Sequence, residues 1–164
     1  MSGPVLYEEQ EGVAIIAINR PDRLNTLTKE VIQGVAESID RATQAESVAA
    51  IVLRGEGRNV SAGYDLDDFL NNDDAVDGEN WDPVRDYQSM STNVRNFMKI
   101  WECPKPVIGE ISGWAIGGAT DLLLCADLLF MADDAQLGYA PSRIYGTPTT
   151  MLWVYRIGLE HAKQ

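Results

Sequence analysis

Two unbroken apolar runs with a helical pattern between them constrain this chain more than any other feature. The first, Val13-Ala14-Ile15-Ile16-Ala17-Ile18, is rich in β-branched residues and shows no polar alternation, as in a strand covered on both faces. Asn19-Arg20-Pro21-Asp22 ends it with turn chemistry. Thr28 then stands as an N-cap ahead of Val31, Ile32, Val35, Ile39 and Ala42, which share one face of a helix. The second run, Ala49-Ala50-Ile51-Val52-Leu53, closes on Arg54-Gly55-Glu56-Gly57. Strand, crossover helix and strand imply a parallel pair with a right-handed connection.

The alternation continues. A small-residue loop, Ser61-Ala62-Gly63-Tyr64-Asp65-Leu66, leads into an acidic stretch. A helix is expected around Tyr87 to Trp101, broken by Pro104-Lys105-Pro106. Val107 to Ile111 reads as a third strand and Leu128 to Ala132 as a fourth, with a strand-to-helix turn between them. Trp153 to Gln164 begins another helix. There is no internal repeat or low-complexity tract, and 164 residues suffice for one domain with a sizeable core. The class is α/β.

Charge and cysteines narrow the function. A net charge of -12 lacks the basic stripe that nucleic-acid binding needs. Much of the acid lies in DLDDFLNNDDAVDGENWDPVRD, residues 65 to 86, read as a solvated loop with a short acidic helix. Cys103 and Cys125 have neither CxxC nor CxxH spacing, so no metal site and no disulfide framework is expected. No basic-then-apolar leader and no run of membrane-spanning length are found. The expectation is a soluble cytoplasmic protein without a membrane partner.

The turn GWAIGGATDLLLCADL, residues 113 to 128, sets a chemical problem. Asp121 stands among leucines, and an unpaired carboxylate there would cost several kcal/mol. Gly117 and Gly118 precede it at a helix start, where backbone N–H groups have no intrahelical partner and glycine admits a close approach. Such glycines also serve tight strand–helix packing. The loop Ser61 to Tyr64 likewise follows a strand, so two loops on neighbouring parallel strands could aim two donors at one point. An enolate or tetrahedral oxyanion is stabilised by donors so placed. Asp121, one helical turn beyond Gly118, could reach the same point. Spacing alone leaves open whether it does chemistry there or is a carboxylate satisfied by backbone N–H groups or an arginine.

Four stretches together resemble the crotonase superfamily, the enoyl-CoA hydratase/isomerase family, in the family's order. They are VAIIAINRPDRLNTLT, AAIVLRGEGRNVSAGYDL, KPVIGEISGWAIGGATDLLLCADL and AQLGY…G. The resemblance implies a crotonase-like fold of repeated β-β-α units in a spiral, with parallel sheets flanked by helices. It implies an acyl-CoA thioester as substrate, with coenzyme A arriving as part of that substrate and no separate cofactor. The oxyanion-hole amides fall on Tyr64 and Gly118, and the substrate loops on Ala62, Gly63, Tyr64, Asp65, Leu66, Gly117 and Gly118. Hydratases carry glutamate at the place of Asp121, and dienoyl-CoA isomerases carry aspartate, in both cases for acid/base work. Cationic contacts to the coenzyme A phosphates fall to Arg23 or Arg20.

Departures from the family pattern leave the reaction open. Ser142 stands where hydratases have a second glutamate, and Thr149 and Thr150 where dienoyl isomerases have an acid. Asp67 replaces a frequent lysine. A proton shift, a decarboxylation or a water-assisted hydrolysis is compatible with one carboxylate, as is an acyl-CoA binding or assembly subunit without catalysis. A serine hydrolase is disfavoured, because no G-x-S-x-G elbow occurs and the only histidine is His161 near the end. Residues 1–164 correspond to the family's core domain without its C-terminal helical region, so the chain reads as truncated or as a fragment. Exposed apolar surface would then favour a homo-oligomer, a trimer or hexamer in this family.

Overall fold

The chain opens with a hairpin. Val5–Gln10 (β1) and Val13–Ile18 (β2) pair antiparallel, joined by Glu11 and Gly12 at φ 50° and 84°, a two-residue turn whose twist matches the strands. β1 escapes the apolar pattern because Glu8-Glu9-Gln10 dilutes it. The computed structural model describes residues 3–71, 82–144 and 146–163, so the centre of the acidic stretch, 72–81, lies outside the described residues.

Lys29–Gln44 (α1) starts at Thr28, whose hydroxyl accepts from the Val31 N–H at 3.2 Å. The face expected from the sequence, Val31, Ile32, Val35, Ile39 and Ala42, is the buried one. Ala50–Gly55 (β3) then pairs parallel with β2. Leu66–Asn71 (α2) and Pro83–Trp101 (α3) follow, the second capped by Asp82. Val107–Ile111 (β4) lies parallel to β3 and leads to Trp114–Ile116 (β5) and Gly118–Leu123 (α4). Leu128–Met131 (β6), Gln136–Gly138 (β7) and Leu152–Ala162 (α5) complete the chain.

The main sheet has the order β1-β2-β3-β4-β6, and β5 pairs with β7 in a small second sheet. Ser61 joins that second sheet by a bridge to Ala115. The repeated β-β-α unit is therefore visible four times: β1-β2-α1, β3-Ser61-α2/α3, β4-β5-α4 and β6-β7-α5. One face of the main sheet is the core. Ile16, Ile18, Ile51, Leu53, Val107 and Ile111 pack there with the buried face of α1 and with Phe97 and Ile100 of α3. The opposite face differs from the sequence expectation of two covered sides. Val13, Ile15, Val52 and Ile108 are only half-buried, and Leu128 and Phe130 are exposed, because the helices that meet the strands lie on one side.

The last helix runs over Leu152–Ala162, interrupted at Gly158 (φ 79°). Trp153 Nε1 donates to Thr120 Oγ1 at 3.3 Å, and Arg156 donates to the Leu124 and Asp127 carbonyls at 3.0 Å each. These bonds fasten α5 to the end of α4. No helix among the described residues is long and apolar enough to cross a membrane, and no metal-ligating cluster is found among them. Both thiols are free, and Cys125 Sγ donates to the Asp121 carbonyl, with burial pushing its pKa up to about 12.

Candidate active site

Three loops meet at the ends of the small sheet. Ser61 N–H donates to the Trp114 carbonyl and Ile116 N–H to the Ser61 carbonyl, both at 3.0 Å. This lays residues 61–64 along β5. Gly117 N–H donates to the Gly138 carbonyl at 2.9 Å, tying in β7. Gly63 (φ 97°) presses against β5 so closely that a Cβ on it would stand 2.7 Å from the Ile116 oxygen. The same point lies 3.6 Å from the Gly118 nitrogen. Only glycine permits that approach, and it brings the 63–64 peptide next to the start of α4. Gly118 is the first residue of α4, where its N–H has no intrahelical carbonyl to meet.

The other flank of the 61–65 loop is held by the turn after β2. Leu27 N–H donates to the Gly63 carbonyl (2.8 Å), Asp65 N–H to Leu27 (2.9 Å) and Ala62 N–H to Leu24 (3.0 Å). Asp65 is buried at 4% exposure and meets Arg20 Nη1 at 2.9 Å, the Thr26 hydroxyl at 2.8 Å and the Asp68 N–H at 3.3 Å. Burial alone would raise its pKa, but Thr26, Arg20 and the Asp68 N–H outweigh it and hold the carboxyl at about 2. Asn25, at φ 54°, accepts from the Arg20 N–H and donates to the Glu56 and Asn59 carbonyls at 2.8 Å each. The turn is a clamp that keeps the loop in place. Sequence reasoning placed Arg20 near a ligand; its guanidinium is here engaged with Asp65 and Thr26.

Asp121 is fully buried at 0% exposure. Its Oδ2 accepts from the Thr149 hydroxyl (2.9 Å) and N–H (3.3 Å), and its Oδ1 from the Thr150 hydroxyl (3.1 Å) and N–H (3.3 Å). All these donors are neutral. Burial raises the Asp121 pKa, and the two threonines offset only part of that rise. The aromatic ring of Tyr64 lies on Gly118: a Cβ at position 118 would stand 2.5 Å from Cε2 and 2.8 Å from Cδ2 and Cζ. The hydroxyl of that ring is shielded from solvent, beside Thr149 and within electrostatic reach of Asp121. Burial first, and then the Asp121 charge, push the phenol well above its ordinary value.

This is also where the chain meets its relatives. A family model for Enoyl-CoA hydratase/isomerase matches residues 8–164. The chain belongs to the enoyl-CoA hydratase/isomerase family. A putative enoyl-CoA hydratase of Thermus thermophilus is 32% identical over 136 residues, 83% of this chain and 51% of the relative. The 1,2-epoxyphenylacetyl-CoA isomerase of Escherichia coli is 28% identical over 145 residues, 85% of this chain and 52% of its own length. The crystal structure of an enoyl-CoA hydratase from Mycobacterium smegmatis superimposes with a TM-score of 0.90 at 33% identity, covering 99% of this chain and 58% of that one. The chain thus spans about half the length of the curated relatives it matches, and the spiral of β-β-α units is the crotonase fold.

Within this family member, the residues singled out from sequence separate into two groups. Ala62, Gly63, Tyr64, Gly117, Gly118 and Asp121 lie together. Asp65 turns into the clamp instead, Leu66 is 68% exposed, and Arg23 is bonded to Asp67 at 2.7 Å, with 3.8 Å to Asp65. Ser142 is exposed and bonds the Tyr139 carbonyl at 2.8 Å, and His161 is exposed. Thr149 and Thr150 enter as Asp121 partners, a role no local sequence signal announces across 28 and 29 residues.

Proposed function

We propose that this chain binds an acyl-coenzyme A thioester and polarises its carbonyl with the amides of Tyr64 and Gly118, for enolate chemistry of the hydratase/isomerase class. The observation that carries the proposal is the juxtaposition of Gly63 with the Gly118 nitrogen, one helical turn from a buried carboxylate. Preorganised N–H groups act where charge develops, in a site where water does not compete. Asp121 takes up the proton that leaves an activated carbon and returns it, a role suited by its raised pKa. No second carboxylate joins it among the described residues, so one-carboxylate proton shifts fit better than two-carboxylate hydration. Coenzyme A enters as part of the substrate.

A second proposal, an acyl-CoA binding or assembly subunit, is favoured by the four threonine donors on Asp121, which suit an anchored carboxylate equally well. Exposed Ile144, Met151 and Tyr155 support self-association into a trimer or hexamer, checked by light scattering. The two free thiols suit a reducing, cytoplasmic setting.

The test is a panel of acyl- and enoyl-CoA thioesters assayed for binding and turnover. Gly118→Pro removes one amide donor, and Gly118→Ala serves as its control, since both add a Cβ where the Tyr64 ring lies. The proline variant should turn over about 10²–10³-fold more slowly than the alanine variant. Equal rates would remove the Gly118 amide from the mechanism, and binding without turnover in the parent would select the second proposal.

A further inference from the structure

The geometry points to the side chain of Tyr64 as a gate on the acyl site: its ring occupies the place beside Gly118 that the acyl carbons need, and it must rotate away before a thioester can present them to Asp121. The inference rests on the acyl-thioester proposal and goes beyond it, because there Tyr64 contributes only its backbone amide. An oxygen held by the Tyr64 and Gly118 amides carries its carbon chain toward Asp121, one turn further along α4. The ring lies on Gly118 at one end, and its hydroxyl stands beside Thr149, an Asp121 donor, at the other. Substrate and ring therefore compete for one volume.

The backbone cannot yield in the ring's place. Gly63 is pressed on Ile116, and the Gly63 carbonyl and Asp65 N–H are both bonded to Leu27. Rotation about χ1 is the motion left, and it moves the ring while the Tyr64 amide stays where it is. Gly118 accordingly has a second reason to be glycine, since any Cβ there would displace the ring. A closed gate lowers apparent affinity by the fraction of molecules in which it is open. Longer and branched acyl groups need the larger displacement, so the gate also sets acyl preference.

The experiment titrates the chain and its Tyr64→Ala variant with coenzyme A, butyryl-CoA, isobutyryl-CoA and octanoyl-CoA, saturated ligands with no double bond to hydrate or shift, with free coenzyme A checked at the end of each titration. The variant should bind the three thioesters about 5–10-fold more tightly, most for octanoyl- and isobutyryl-CoA, with coenzyme A unchanged. Tyr64→Val, which keeps apolar cover over the core, should show a smaller shift in the same direction and serves if the alanine variant does not fold. Gly118→Ala should lower the melting temperature of the parent more than that of Tyr64→Ala, a direct check that the ring is seated on Gly118. Thioester affinities equal in parent and variants would overturn the gate and leave the acyl-thioester proposal standing. A parent and variants that bind no thioester at all would overturn both.

Discussion

Asp65 and Asp121 are both buried carboxylates, at 4% and 0% exposure, within one small region, and they are opposites. Asp65 faces a guanidinium, a hydroxyl and an N–H, and its pKa falls to about 2. Asp121 has a full set of hydrogen bonds, yet its pKa rises, because burial weighs against its charged form more than the four neutral threonine donors offset. The difference teaches that satisfying a buried carboxylate and fixing its charge are separate matters. Burial raises a carboxyl pKa and hydrogen bonds to the ionised form lower it: at Asp65 the Thr26 hydroxyl, the Arg20 guanidinium and the Asp68 N–H prevail, and at Asp121 burial does. Asp65 is built to stay ionised and hold a loop. In the proposed function Asp121 is the one that changes protonation state, and its raised pKa suits that.

The largest expected effect comes from erasing the titration of Asp121. Asp121→Asn should lower turnover about 10²–10⁴-fold with little change in thioester affinity, measured on protein shown to be folded. The check on folding matters here. Each Asp121 oxygen accepts from a threonine N–H, and asparagine offers one acceptor oxygen where two are used, so a loss of about 1–3 kcal/mol in stability should accompany it. Turnover within a few-fold of the parent would put Asp121 in the same structural class as Asp65 and dissolve the contrast.

Asp65→Asn should act on stability instead. It leaves Arg20 without its carboxylate at a site where that guanidinium is only 22% exposed, and a loss of about 2–3 kcal/mol in urea denaturation is expected. Its pKa is depressed in the fold, so the stability it contributes is present above pH of about 4 and disappears as pH falls toward 2. Asp121 has the opposite sign. Its raised pKa gives a contribution present below about pH 4 and lost as pH rises through the folded value. Stability followed from pH 2 to 8 should therefore lose part of its acid limb in Asp65→Asn and part of its decline on the rising side in Asp121→Asn. Matching profiles for the two variants would show that the two carboxylates do not differ.

Thr150→Val should give the smallest change. It removes one neutral donor, the 3.1 Å hydroxyl bond to Asp121 Oδ1, at a cost of about 1 kcal/mol. The remaining carboxylate should titrate still higher, so the acid limb of the pH–rate profile moves upward. A downward shift would mean that Thr150 does not stabilise the ionised form.

How much of this was legible depends on the range of the signal. The α1 helix, its Thr28 cap and its buried face were plain, because cap and periodicity act over a few residues. The parallel pairing of β2, β3 and β4 followed from apolar runs and crossover lengths. The Glu11-Gly12 turn is a hairpin signal in principle, but the polar end of β1 hides the strand that it closes. At the site, the glycine loops could be found as small-residue breaks after strands. The partners of the carboxylates could not. Arg20 reaches Asp65 across 45 residues, and Thr149 reaches Asp121 across 28, with nothing in the intervening sequence to record the distance.

The sequence by itself determined the α/β class, the order of the four strands β2, β3, β4 and β6 with the helices between them, the family and the positions where the backbone turns tightly enough to need glycine. These are consequences of local sterics, hydrophobic periodicity and short-range hydrogen bonding, which a chain carries before it folds. Tertiary structure decided which face of the sheet is covered, that Ser142 points away while two threonines converge on Asp121, and that the Tyr64 ring rests on Gly118. It also decided which way the pKa of each buried aspartate moves, since desolvation and the donors of distant residues exist only once those residues have been packed together.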